Sequence, residues 1–90
     1  MSGLGIALTL RGGEAGVLES WDGTFLVVRV PVPFAPGAPV GMLLGLPMPL
    51  PLEGKSIGSR LGEDGLFTVR MRLITLPKTT RLALDALRDA

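Results

Sequence analysis

The clearest structural pattern of the chain lies in residues 61–75, "LGEDGLFTVRMRLIT". Its "GEDG", residues 62–65, has the composition of a tight hairpin loop, because Gly tolerates positive φ and Asp supports local backbone hydrogen bonds. Beyond the loop the side chains alternate between two faces, as in a strand with one buried face. The apolar face carries Phe67, Val69, Met71 and Leu73, and the other face carries Thr68, Arg70 and Arg72. We therefore predict a β-hairpin whose second strand lies centrally in the fold.

Further strands are predicted towards the N-terminus. Alternation in "IALTLR", residues 6–11, indicates a strand, and a short one is expected at 17–19. After the turn "WDG", the run "TFLVVRV" would place Leu26, Val28 and Val30 on one face and Phe25, Val27 and Arg29 on the other. Residues 39–46 and 52–61 complete the set, with bulges or a bend suggested by Gly54 and Gly58. The proline-rich residues 31–37 and 47–51 are predicted to interrupt the strands, because Pro cannot donate to a ladder.

The C-terminal end predicts the single helix, at about residues 79–89. Thr79 or Thr80 can cap it, and Leu84 and Leu87 form an apolar stripe along it. A helix this short is not stable alone, so it must pack on the barrel or on a partner. Six antiparallel strands and one short helix in 90 residues predict an all-β fold, a small six-stranded antiparallel barrel forming a single domain over residues 1–90.

The composition disfavours most chemistry. The chain has no Cys and no His, which disfavours metal sites of the usual ligands, thiol nucleophiles and proton transfer near neutral pH. Neither an enzyme nor a cofactor is expected. A formal net charge of +1 is too small to favour nucleic-acid binding.

Residues 30–52 are uncharged and raise the question of a membrane segment, since 47% of the chain is apolar. Seven prolines interrupt this segment, and a helix broken so often could not satisfy its backbone in lipid. The N-terminal residues lack the basic region of a secretory signal. We therefore expect no membrane insertion and a cytoplasmic location.

Three segments in order carry a resemblance to a known family: "SWDGTFLVV", "PFAPGAPVGMLLGLPMP" and "LPLEGKSIGSRLGEDGLFTVRMRLITLP", followed by a short helix. Over about residues 17–87 the chain resembles the PilZ domain, a six-stranded β-barrel of bacteria that in many members binds cyclic di-GMP. The third segment carries the most specific part of the resemblance. Some members work as adaptors in motility, type IV pilus assembly or cyclic di-GMP signalling, and the resemblance implies that setting here.

Ligand-binding members of the family carry RxxxR and (D/N)xSxxG motifs, and both are incomplete in this chain. Ser20 and Gly23 match the last two positions of the second motif, but its first position falls on Leu18. Arg11 is the only arginine before Trp21, so RxxxR is absent. The missing groups argue against cyclic di-GMP binding and favour an adaptor that binds protein.

Two alternatives remain: a cyclic di-GMP receptor with a non-standard arginine set, and a homo-oligomerisation module. The non-standard set is Arg11 with Arg70 or Arg72. More broadly, Arg29, Arg60, Arg70 and Arg72 would line a shallow anionic site if their strands are adjacent, although a solvated outer face is the simpler explanation. For a protein interface the candidate residues are Trp21, Val32, Phe34, Val40, Leu84 and Leu87, with Trp21 being either core or contact residue.

Overall fold

A computed structural model describes residues 5–74 and 76–89 and contains a closed barrel of six antiparallel strands with one C-terminal helix. The predicted fold class is confirmed. The neighbouring strands around the barrel follow the order β1, β2, β3, β6, β5, β4, and β4 pairs with β1 to close it. The elements are β1 (Ile6–Leu10), β2 (Ala15–Trp21), β3 (Phe25–Val30), β4 (Pro39–Leu44), β5 (Leu50–Leu61), β6 (Phe67–Leu73) and α1 (Lys78–Asp89).

Strand β6 is central, as the alternation predicts, because it pairs with β3 on one side and β5 on the other. Val69 and Met71 are fully buried, whereas Arg70 and Arg72 are exposed. The preceding hairpin loop is also confirmed. The Gly62 amide donates to the Leu66 carbonyl at 2.8 Å, and Gly65 adopts a positive φ of 83°. The alternate residues of β6 therefore lie on one regular outer face.

Strand β5 begins earlier than predicted and includes Pro51, which the sequence pattern assigns to an interruption. Pro51 is tolerated because β5 pairs only with β4 at this point, and its pairing with β6 begins at Gly54. The predicted bulge occurs near Gly58, where the register against β6 shifts between Ser56 and Gly58. Gly54 instead lies in regular pairing, and a Cβ there would collide with the Arg72 carbonyl oxygen.

The remaining strand ends differ modestly from prediction. β2 spans seven residues where three were expected, and β4 ends at Leu44. β3 has the predicted faces, with Leu26, Val28 and Val30 buried. Helix α1 begins at Lys78, before both predicted caps, and the Arg81 amide donates to the Pro77 carbonyl at 3.0 Å. The predicted caps Thr79 and Thr80 are therefore first-turn residues, and Pro77 occupies the capping position.

Helix α1 packs on its own barrel. Leu84 has no exposed surface, and Leu87 packs against the core. The Trp21 indole Nε1 donates to Asp85 Oδ1 at 2.9 Å, which joins the helix to the end of β2. Strands and helix thus share one core, made of Leu8, Leu10, Leu18, Trp21, Leu26, Val28, Val30, Val40, Met42, Leu44, Leu52, Val69, Met71 and Leu84.

Candidate functional site

The segment that resembles the second binding motif spans the end of β2 and the turn between β2 and β3. Asp22 Oδ1 accepts hydrogen bonds from the amides of Thr24 at 2.8 Å and Phe25 at 2.7 Å. These backbone hydrogen bonds, that from Phe25 first, hold the pKa of the Asp22 carboxyl below its ordinary value. Gly23 supplies the positive φ of 97°. Asp22 and Gly23 therefore act in the turn itself, and Ser20 stands exposed beside it.

Leu18, at the first position of this motif, points into the barrel and has no exposed surface. It lies opposite Ile6 on β1 and Val28 on β3. An apolar side chain in the core can offer no hydrogen bond to a guanine edge. The two remaining motif positions, Ser20 and Gly23, thus lack the partner that the family's binding motif requires.

The proposed arginine set is divided by strand β5. Arg11 reaches across Gly41 and donates to Glu53 Oε2 at 2.7 Å, so its charge is compensated. Arg70 and Arg72 lie on β6, on the far side of β5 from β4. Arg11 therefore forms an ion pair, whereas Arg70 and Arg72 form none among the described residues.

Four cations share the outer face of the β5–β6 hairpin, and we call this surface the cationic face: Lys55, Arg60, Arg70 and Arg72. All four residues are exposed. Within residues 5–74 and 76–89 none of them forms a salt bridge. Lys55 and Arg72 are direct cross-strand partners, an arrangement that costs free energy for like charges. The face is thus a concentration of positive charge outside the salt bridges of the described residues. Arg70 has the carboxylate of Asp22 in its neighbourhood, because after the backbone hydrogen bonds its charge also lowers the pKa of Asp22.

A shallow depression at the bulge interrupts the cationic face. Gly58 lies opposite Arg70, and a Cβ built on Gly58 would meet no atom within 4 Å. Arg60 and Thr68, the next cross-strand pair, also line the depression. The guanidinium of Arg70 stacks 4.2 Å from the centre of the Phe25 ring, which orients it. Two arginines therefore flank an open space that no side chain fills.

Exposed aliphatic side chains accompany these cations. Ile57, at the bulge, is 44% exposed. Leu61, at the end of β5, is 61% exposed but lies opposite Phe67, on the other face of the hairpin. Ile74, directly after β6, is 58% exposed, and its amide donates to the Glu53 carbonyl. Charge and apolar surface therefore occur together along one hairpin.

The predicted interface residues lie elsewhere, and three of them are core residues. Trp21, Val40 and Leu84 are at most 3% exposed, because the barrel interior and the docked helix enclose them. Val40 and Leu84 therefore offer no exposed surface to a partner, whereas the burial of Trp21 agrees with the first of its two predicted roles, core or contact residue. The others, Val32, Phe34 and Leu87, are partly buried against the core.

Arg29 does not belong to the cationic face. Its guanidinium pairs with Glu19 at 3.4 Å and with Asp64. A hydrogen bond from the Leu66 amide, followed by the Arg29 guanidinium, holds the pKa of the Asp64 carboxyl below its ordinary value. The sequence pattern grouped Arg29 with Arg60, Arg70 and Arg72 and omitted Lys55. The alternation within "GKSIGSR" was the available signal for outward residues, but the bulge between Ser56 and Gly58 changes which residues face outward.

Comparison of the chain with protein-family models, with curated proteins and with solved structures gave no match. Within the described residues no group of three or more His, Cys, Asp or Glu could hold a metal ion. In that same part of the chain, no helix has the length and apolarity to cross a membrane.

Proposed function

We propose that this protein is a non-enzymatic PilZ-like adaptor that acts through protein contacts in bacterial motility, type IV pilus assembly or cyclic di-GMP signalling. Two features support the proposal. The closed barrel with a terminal helix is the fold that the resemblance implies, and the position of the binding motif that needs a polar group holds the buried Leu18.

The observation that carries the proposal is the combination of exposed cations and exposed aliphatic side chains on the β5–β6 hairpin. Scattered exposed apolar residues are common, but aliphatic side chains rimmed by charge are typical of protein-binding surfaces. The hairpin is also a rigid support, because β6 is paired on both sides. A partner can therefore bind without ordering this part of the backbone, which lowers the entropic cost of association.

Site-specific photo-crosslinking in the native host tests this proposal. A photoreactive phenylalanine analogue replaces Ile57 on the hairpin and, as the matched control, Thr9, which is exposed on β1. We expect a discrete protein adduct from position 57 and none from position 9. No adduct at position 57, or equal adducts at both positions, would contradict the adaptor function.

The arginines that flank Gly58 favour one second candidate, a cyclic di-GMP receptor with a non-standard site. Guanidinium groups fork onto phosphates, and Arg60 and Arg70 form no salt bridge among the described residues. Isothermal calorimetry with cyclic di-GMP separates the two functions. We expect no heat of binding; heat that disappears in Arg70→Ala would replace the adaptor by a nucleotide receptor.

A further inference from the structure

We infer that the cationic face binds an extended acidic segment of a partner protein that carries Asp or Glu at every second position. This inference rests on the proposed adaptor function and adds the chemistry of the partner. Its basis is the juxtaposition of four exposed cations, an open depression and the exposed aliphatic side chain of Ile57 on one hairpin.

The charge distribution is the first step. The formal net charge of +1 conceals the fact that four of the nine Lys and Arg residues lie on this one face. Three of the other cations have carboxylate partners, since Arg11 has Glu53, Arg29 has Glu19 and Asp64, and Arg81 has Asp85. Lys78 on α1 has no salt bridge among the described residues but stands alone and not in a cluster. The direct opposition of Lys55 and Arg72 is unfavourable in the free protein. A negatively charged partner relieves that repulsion, so the face is complementary to acidic groups.

The spacing of the cations is the second step. Lys55 and Arg72 form one cross-strand row, Arg70 opposite Gly58 forms the next, and Arg60 opposite Thr68 forms the third. Successive rows on one face of a sheet lie about 6.7 Å apart. An extended peptide presents every second side chain at the same spacing, so one acidic residue meets each row. Because β6 is already paired on both sides, such a segment binds it through side chains and does not add as a strand.

The depression at Gly58 makes the middle row specific for a carboxylate, because the depression lies between Arg70 and Arg60. Arg70 is held over the Phe25 ring at 4.2 Å, and Arg60 lies diagonally across the hairpin. A carboxylate entering the space between them accepts charge-assisted hydrogen bonds from both guanidinium groups, of which that of Arg70 is already held over the Phe25 ring. Ile57 stands beside the same space and contacts the CH₂ groups of the acidic side chain.

The exposed side chains favour a protein over a single-stranded nucleic acid. Nucleic-acid binding without sequence preference combines positive charge with aromatic rings on which bases stack. On this face Arg70 covers the Phe25 ring, and the exposed apolar side chain at the depression, Ile57, is aliphatic. The observed composition matches an acidic peptide whose side chains offer carboxylates to the cations and CH₂ groups to Ile57.

Fluorescence anisotropy with a labelled peptide in which Glu alternates with Val tests the inference. The same peptide with Gln in place of Glu is the uncharged control, and a single-stranded oligonucleotide of equal charge is the second probe. We expect the Glu peptide to bind at low salt, to weaken as salt rises, and to exceed both other probes in affinity. No binding of the Glu peptide, equal binding of the Gln peptide, or tighter binding of the oligonucleotide would overturn the inference.

A matched pair of charge reversals locates the site. Arg70→Glu should weaken Glu-peptide binding roughly fivefold to tenfold, because it replaces an attraction by a repulsion. Lys78→Glu makes the same change in net charge at an exposed position on α1 and should alter the affinity by less than about twofold. Equal effects of both variants would show that only net charge matters and would refute a defined site. Circular dichroism checks that both variants fold.

The result is distinguishable from failure of the adaptor function itself. If crosslinking at Ile57 yields a partner but the Glu peptide does not bind, the acidic-partner inference is wrong and the adaptor function stands. If neither occurs, both are wrong.

Discussion

Replacing Leu84 by Ala tests whether helix α1 belongs to the core of the single chain. Leu84 has no exposed surface, and the substitution removes three carbon atoms from the core. At about 0.8 kcal/mol for each buried CH₂-sized group, the lost transfer free energy is about 2.4 kcal/mol. The cavity left behind raises the cost to about 3 kcal/mol, which is a large part of a total stability of about 5 to 15 kcal/mol.

Urea unfolding followed by tryptophan fluorescence measures this loss and reports on the helix directly. Trp21 is 3% exposed and donates to Asp85 on α1, so undocking of the helix removes its hydrogen bond and exposes the indole to water. A red-shifted emission before global unfolding would indicate that the helix separates first. If the helix can undock alone, the measured cost is limited to the free energy of docking.

The matched control is Leu82→Ala, the same substitution on the same helix at a side chain that is 60% exposed. It should change the free energy of unfolding by less than about 0.5 kcal/mol, because no core volume is lost. Equal effects of Leu84→Ala and Leu82→Ala would refute the docking of α1. Light scattering of both variants shows whether association contributes.

Three further outcomes are expected. Gly54→Ala should destabilise the barrel by more than about 1 kcal/mol, because its Cβ would meet a backbone carbonyl oxygen of β6, whereas Gly58→Ala, with open space around it, should leave stability unchanged or raise it by up to about 1 kcal/mol; urea midpoints compare them. Leu18→Asp should lower the free energy of unfolding by about 3 kcal/mol or more and shift the urea midpoint accordingly, because it buries an unpaired carboxylate; an unchanged midpoint would show that this position can reach water. Because the folded-state pKa values of Asp22 and Asp64 lie below the ordinary 3.8, their contribution to stability is complete above that pH and is lost as the pH falls through the folded values. Acid titration of Asp22→Asn/Asp64→Asn should show a smaller loss, and an unchanged acid transition would contradict these contributions.

Much of the fold could be predicted from the sequence where alternation and turn residues agree. The hairpin around "GEDG" and the buried face of β3 satisfy both criteria, and both are confirmed. The early start of β5 could not be predicted, because Pro51 is compatible with a strand only where one edge is unpaired, a property of the barrel topology. The helix starts before the predicted caps Thr79 and Thr80. Lys78 is already helical, and the carbonyl of Pro77 accepts a hydrogen bond from the Arg81 amide in the first turn.

Less of the candidate site could be predicted. The sequence singled out Arg70 and Arg72 correctly as outward residues of one strand. Lys55 was missed because the bulge between Ser56 and Gly58 changes which residues of β5 share a face. Gly54 and Gly58 suggested a bulge, but which of them carries it is visible only in the pairing register. Arg11 was grouped with the arginines of β6, but it pairs with Glu53, which is 42 positions away in the chain. Such a distant partner cannot be inferred from local pattern.

Crosslinking from position 57 in the native host, compared between the unmodified chain and the same chain carrying Arg70→Glu, shows whether a protein partner binds at the cationic face. Ile57 and Arg70 line the same depression, so a partner held there contacts both. We expect a protein adduct at position 57 that is lost or strongly reduced in the Arg70→Glu chain, with Lys78→Glu leaving it intact. An adduct that survives Arg70→Glu undiminished, or that forms equally from Thr9, would contradict binding of a protein partner at the cationic face.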